Sequence, residues 1–166
     1  MTRTMSMTAF AIVALVAVAV LGPTAAATPR AQGTIVETAV ATGQFKTLTM
    51  LLKRAGLVST LQKPGPYTVF APTDAAFKKV PKATINALLQ DRATLKAVLL
   101  YHVVAGKVPA AKVVKLRSAT TANGARVRIR VSGSSVFVDG AKVTKPDVMA
   151  SNGIIHVINR VLIPPA

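Results

Sequence analysis

The sequence predicts an α+β domain, and three observations predict it. Apolar residues recur at helical spacing up to Gly106, and beyond it the dominant pattern alternates with period two. The chain of 166 residues has length for one ordinary domain, with no internal repeat to divide it. Helices followed by antiparallel strands around one core make an α+β arrangement.

The elements follow in order. Thr34-Ile-Val-Glu37 is a capping-box pattern that opens a helix running to Gly43. Phe45, Leu48, Leu51 and Leu52 mark a second helix, which Gly56 stops. Pro64-Gly65-Pro66 is a turn, and Tyr67-Thr-Val-Phe70 is a short strand. Thr73 or Asp74 caps a brief helix through Phe77 that ends at Pro81. A helical stretch spans Ala83 to Leu89, and Asp91 caps the next helix, where Leu95, Val98, Leu99 and His102 share a face. One more short helix lies near Ala110 to Lys115. Strands are then expected at Arg126–Val131, Ser135–Asp139 and Ile154–Leu162, set apart by Asn123-Gly124, Ser132-Gly133 and Asn152-Gly153.

The N-terminus reads as an address. Arg3 precedes 13 apolar residues, Ala9 to Leu21, and then Ala25-Ala-Ala27. A charged start, a short apolar run and an Ala-x-Ala site constitute a secretory signal peptide, too short to span a bilayer. The expected organisation is a signal peptide over residues 1–27, a flexible leader over 28–33 and one domain over 34–164. The expected location is secreted or extracellular (periplasm or cell surface in an organism with an outer membrane), with membranes met only peripherally and no intracellular nucleic acid as partner. Removal of the signal leaves 20 basic and 5 acidic residues, so anionic polymers should be met readily. The absence of cysteine excludes a disulfide framework, a thiolate metal site and a Cys nucleophile. With 51% hydrophobic and 16% charged residues the chain is too apolar to be disordered.

Three segments carry a resemblance. Tyr67-Thr-Val-Phe-Ala-Pro-Thr-Asp-Ala-Ala-Phe77 resembles the first homology motif of fasciclin domains, Leu99-Leu-Tyr-His-Val-Val104 their Tyr-His motif, and Asn152-Gly-Ile-Ile-His-Val-Ile-Asn-Arg-Val-Leu-Ile-Pro164 their second homology motif. They occur in the family's order across nearly the whole domain. The resemblance implies a fasciclin-like fold, with helices along one edge of a mostly antiparallel β-sandwich or wedge. It also implies a non-catalytic adhesion or matrix-interaction module, without cofactor, that binds an extracellular protein or glycan. In animal members integrin recognition is associated with the Tyr-His motif and with an Asp–aliphatic pair before the second homology motif. The matching positions are Tyr101, His102, Asp147 and Val148, although Lys145 and Pro146 depart from the animal pattern and Asn159 stands where many members carry Asp.

Read from the residues alone, Thr73 and Asp74 are caps, His102 is a buried, hydrogen-bonded histidine, and Gly153 and His156 belong to the structural motif. His156 should point away from Ile155 and Val157. Two histidines without cysteine make a poor metal site. There is no nucleophile elbow, phosphate loop or dinucleotide fingerprint, and a hydrolase using His102 and Asp74 ranks third among the readings. The second reading is an electrostatic binder of acidic polysaccharide, cell-wall polymer or extracellular DNA. Its residues are Arg126, Arg128 and Arg130, which alternate along a strand and so project together about 6.6–6.8 Å apart. Val127, Ile129 and Val131 should then face the core. If Val136 and Val138 also point inward, Phe137 stands beside the arginines; otherwise the face is purely electrostatic.

Overall fold

Helix α1 (Ile35–Thr42) begins where Thr34 and Glu37 satisfy each other's backbone amides and stops at Gly43, whose φ of 68° is the left-handed conformation expected of a helix-ending glycine. The computed structural model describes residues 33–165, so the expected signal peptide and all of the expected leader except Gly33 lie outside the described residues. α2 (Lys46–Ala55) buries Leu48, Leu51 and Leu52 and ends at left-handed Gly56. The loop expected after it contains instead a five-residue helix, α3 (Val58–Gln62), which inserts Leu61 into the core. β1 (Tyr67–Pro72) continues two residues beyond the expected strand. α4 (Asp74–Lys78), α5 (Lys82–Gln90) and α6 (Arg92–Tyr101) follow where the caps and spacing place them.

The second half contains α7 (Ala110–Val113) and six strands: β2 (Val103–Ala105), β3 (Ser118–Thr120), β4 (Arg126–Ser132), β5 (Ser135–Val138), β6 (Ala141–Ala150) and β7 (Gly153–Ile158). Three of these, β2, β3 and β6, are additions to the sequence reading. β2 and β3 are three residues each, too short to display alternation. β6 is interrupted by register shifts on either side of Lys145, which erase its period. β7 is shorter than expected because the chain bends at Asn159-Arg160.

Among the described residues the strands form one sheet in the order β2-β1-β7-β6-β5-β4-β3. Every neighbouring pair is antiparallel except β1 and β7. The two ends meet where Ala122 N–H donates to the Val103 carbonyl at 2.7 Å and Val104 bridges Thr121. The result is a nearly closed barrel with helices on its β1–β7 side.

β1 and β7 separate two apolar clusters. Val69, Ala71, Ile155 and Val157 join α1, α2 and α6 in a helical core. Phe70 and Ile158 point the other way, into a barrel core with Val104, Val127, Ile129 and Val138. Gly153 stands where these strands approach closely: a β-carbon there would collide with the Tyr67 carbonyl oxygen. Its neighbour Asn152 accepts from Ile35 N–H at 2.9 Å and donates to the Leu61 and Lys63 carbonyls, tying α1 and α3 to the start of β7.

Candidate functional site

The motif residues that the resemblance brings forward turn out to be occupied inside the fold. His102 ends α6 and is 2% exposed. Its Nδ1–H donates to the Val98 carbonyl at 2.8 Å, and Nε2 accepts from Leu162 N–H at 2.9 Å. Both ring nitrogens are thereby committed, in the neutral form. Burial pushes its pKa down to about 4, against the opposing effect of the Val98 hydrogen bond. His156 does point away from Ile155 and Val157, stacking on Phe70 with ring centroids 5.6 Å apart. It holds the opposite tautomer: Nε2–H donates to the Val108 carbonyl at 2.8 Å, and Nδ1 accepts from Asp147 N–H at 3.3 Å. Burial lowers its pKa too, opposed by the Val108 hydrogen bond and the Asp147 charge. Among the described residues no group of three histidine, aspartate or glutamate side chains could hold a metal.

Tyr101 is also buried, at 1% exposure. Tyr101 and His102 are thus both enclosed by the fold, in contrast to the exposed position that the expected partner contact at the Tyr-His motif calls for. Tyr101 leaves the helix on the barrel side, and its hydroxyl donates to the Asp139 carboxylate at 3.2 Å, with a longer 3.4 Å approach to the Arg126 carbonyl. Burial, together with the Asp139 charge and hydrogen bond, pushes its pKa up to about 12. Val148 is half-buried against the helical core. Asp147 remains exposed but is engaged: it sits in the irregular part of β6 at φ 54°, and its carboxylate accepts from Ala110 N–H at 2.8 Å at the start of α7.

The acidic residues show a common use. Glu37 completes the cap of α1, Asp91 accepts from Ala93 and Thr94 amides to cap α6, and Asp147 serves α7. Thr73, not Asp74, caps α4, accepting from Ala76 N–H at 3.2 Å. Asp74 reaches to a different helix, where its carboxylate accepts from Thr47 N–H at 2.8 Å and Lys46 N–H at 3.3 Å. It supplies the cap that Phe45 cannot give to α2. Slight burial raises its pKa, but those amides and the Lys46 charge outweigh that and leave it below the usual carboxylate range. Four of the five acids thus stabilise helix N-termini, and Asp139 is the exception.

The exposed array lies on β4 and β5. Arg126, Arg128 and Arg130 are exposed, while Val127 and Ile129 are buried in the barrel core. Val131 departs from the expectation and is 44% exposed, because β3 pairs only with Arg126–Arg128 and the β4–β5 hairpin extends past it. Val138 and Val136 face inward, so Phe137 stands on the outer face. It is paired in register with Arg130 on one side and Lys142 on the other. Arg128, Arg130, Ser132, Phe137, Asp139 and Gly140 line an open groove of about 450 Å³. The sequence reading found the arginines and Phe137 but missed Asp139 and Lys142. The signal for both was Asp139-Gly140, whose positive φ angles of 48° and 83° close a two-residue hairpin that pairs Val138 with Ala141 and Phe137 with Lys142.

Comparison with known proteins bears on the whole of this geometry. The model of the fasciclin domain matches residues 43–164. The protein sll1735 of Synechocystis is 45% identical over 129 residues, covering 78% of this chain and 96% of that protein. The immunogenic protein MPB70 of Mycobacterium bovis is 43% identical over 113 residues, 68% of this chain and 57% of that one. The transforming growth factor-beta-induced protein ig-h3 of Sus scrofa is 37% identical over 139 residues, and the match spans 81% of this chain but 20% of that larger protein. The solved domain pair of the insect cell adhesion molecule fasciclin I shares the fold, with a TM-score of 0.60 at 22% identity over 75% of this chain and 47% of the pair.

Proposed function

The chain belongs to the fasciclin domain family, and on that premise we propose that it is an exported, non-catalytic adhesion module whose partner docks on the β4–β5 wall. The observation that carries this reading is the contrast in use: Tyr101, His102 and His156 are buried and hydrogen-bonded within the fold, whereas Arg126, Arg128 and Arg130 stand exposed on one rigid strand. The sheet fixes the backbone that carries the three guanidiniums, so their spacing is set before a partner arrives, although the exposed side chains are ordered only on binding. Likeness to an insect cell adhesion molecule supports contact with an extracellular surface. Arg3, the apolar run to Leu21 and Ala25-Ala-Ala27 support export with cleavage after Ala27, and mass spectrometry of protein from the culture or envelope fraction should find a mature N-terminus at Thr28. No described helix is long and apolar enough to cross a membrane.

The wall is tested by retention on surface material from the producing organism at low and high salt. Replacing Arg126, Arg128 and Arg130 by serine should weaken retention by about tenfold or more. The control loses Lys53, Lys82 and Lys112, which are exposed elsewhere and carry the same charge. Equal losses in the two variants would mean that diffuse charge, not this wall, makes the contact.

A further inference from the structure

Resting on the reading of the β4–β5 wall as the partner face, we propose that its groove binds an acidic polysaccharide, a chain of sugar rings bearing carboxylate or sulfate groups. The register carries the first argument. Residues directly opposite on neighbouring antiparallel strands share a face about 4.5–5.5 Å apart, so Arg130, Phe137 and Lys142 form a row across three strands with the aromatic ring in the middle. An apolar ring between two cations matches a sugar polymer closely. The C–H face of one sugar covers the ring, and the acidic substituents of that sugar and its neighbours reach the flanking cations. Arg128 and Arg130, on the same face, add bidentate partners for carboxylate or sulfate.

Asp139 carries the second argument. It is the acid not spent on a helix, and it lines the groove among guanidiniums. Its φ of 48° and the following Gly140 at φ 83° turn the chain sharply enough to bring the carboxylate there, and the Tyr101 hydroxyl holds one of its oxygens. A fixed carboxylate repels a phosphate backbone passing beside it, yet it accepts strong hydrogen bonds from sugar hydroxyls. Cations for the acidic groups, an aromatic face for the ring and a carboxylate for the hydroxyls are the complementary set for an acidic sugar. A sequence-tolerant single-strand nucleic-acid groove is built on the first two. Gly140, without a side chain, leaves the groove open, and its volume is within the range of small-ligand sites.

The test measures binding of an oligogalacturonate, a heparin oligosaccharide and inorganic polyphosphate of matched charge at about 0.15 M salt. Phe137→Ala should weaken at least one of the two sugar probes about tenfold, or 1.4 kcal/mol, and shift polyphosphate by less than about twofold. Asp139→Asn keeps an acceptor for Tyr101 and tolerates the left-handed backbone, so folding is preserved. It should weaken the same sugar probe and strengthen polyphosphate. That opposite sign is the signature of a hydroxyl-reading carboxylate. Parallel shifts of all three probes in both variants, or sugar binding no tighter than polyphosphate, would overturn the assignment. If that happens while the three-arginine variant still loses retention on surface material, the wall stands as partner face and the acidic-sugar assignment alone falls. If retention survives that variant, the wall itself is wrong and the assignment falls with it.

Discussion

β7 is buried at all six of its positions, whereas β4 alternates between buried Val127 and Ile129 and exposed Arg126, Arg128 and Arg130. Both strands belong to one sheet, but they are under different constraints. β7 lies between the helical core and the barrel core, so each polar group on it must be satisfied internally, as His156 is on both ring nitrogens. β4 has one face toward the barrel core and the other toward solvent, and that second face is free to carry charge without cost to the fold. The difference teaches where this domain can hold function. Polar groups at the β1–β7 spine are taken up by partners within the fold, whereas the outer face of β4 leaves its guanidiniums accessible.

The largest expected effect is at the spine. Gly153→Ala places a methyl against the Tyr67 carbonyl oxygen, so β1 and β7 must separate. We expect a loss of at least about 3 kcal/mol, read by urea unfolding followed by circular dichroism. A variant melting within about 1 kcal/mol of the parent would show that the spine can relax, and the contrast with the wall would weaken.

His102 sharpens the comparison through pH. Its folded pKa of about 4 lies below the unfolded value of about 6.5. As pH falls through that window the unfolded chain takes up a proton that the folded protein refuses, so stability is full above the unfolded pKa and declines toward pH 4. The single group contributes on the order of 3 kcal/mol to that decline. The lowered carboxylates of Asp74 and Asp91 act at still lower pH, their contributions being present above the unfolded carboxyl pKa of 3.8 and lost as pH falls below it. Proton NMR of the His102 ring decides the matter: a titration midpoint near 6.5 in the folded protein would contradict its burial.

Asp74→Ala is expected to cost about 0.5–2 kcal/mol, with the loss located at α2 and not at α4. Hydrogen exchange reads this directly, since the Lys46 and Thr47 amides should lose protection while the Ala76 amide, held by Thr73, keeps it. The smallest effect belongs to the wall. Arg126→Ser, Arg128→Ser and Arg130→Ser should each leave stability within about 0.5 kcal/mol of the parent. A cooperative loss of several kcal/mol on combining them would make the arginines structural, and the wall would no longer differ from the spine.

Several features were legible in the chain without its fold. The capping box at Thr34 and Glu37, the helix-ending Gly43 and Gly56, the Asp91 cap and the alternation of β4 all depend on residues a few positions apart, so local geometry alone determines them. The exposed arginine row followed from the same period. Tertiary structure alone decided that Asp74 serves α2 and not its own helix, and that Tyr101 turns inward to hold Asp139. It also made strands of β2, β3 and β6, which are too short or too irregular to show a period and exist because a neighbour completes their hydrogen bonds. The physical division is between interactions closed within one turn or one strand, which a sequence specifies locally, and those between residues tens of positions apart. The latter become determined only when the two clusters assemble on either side of β1 and β7 and burial forces every polar group to find its partner.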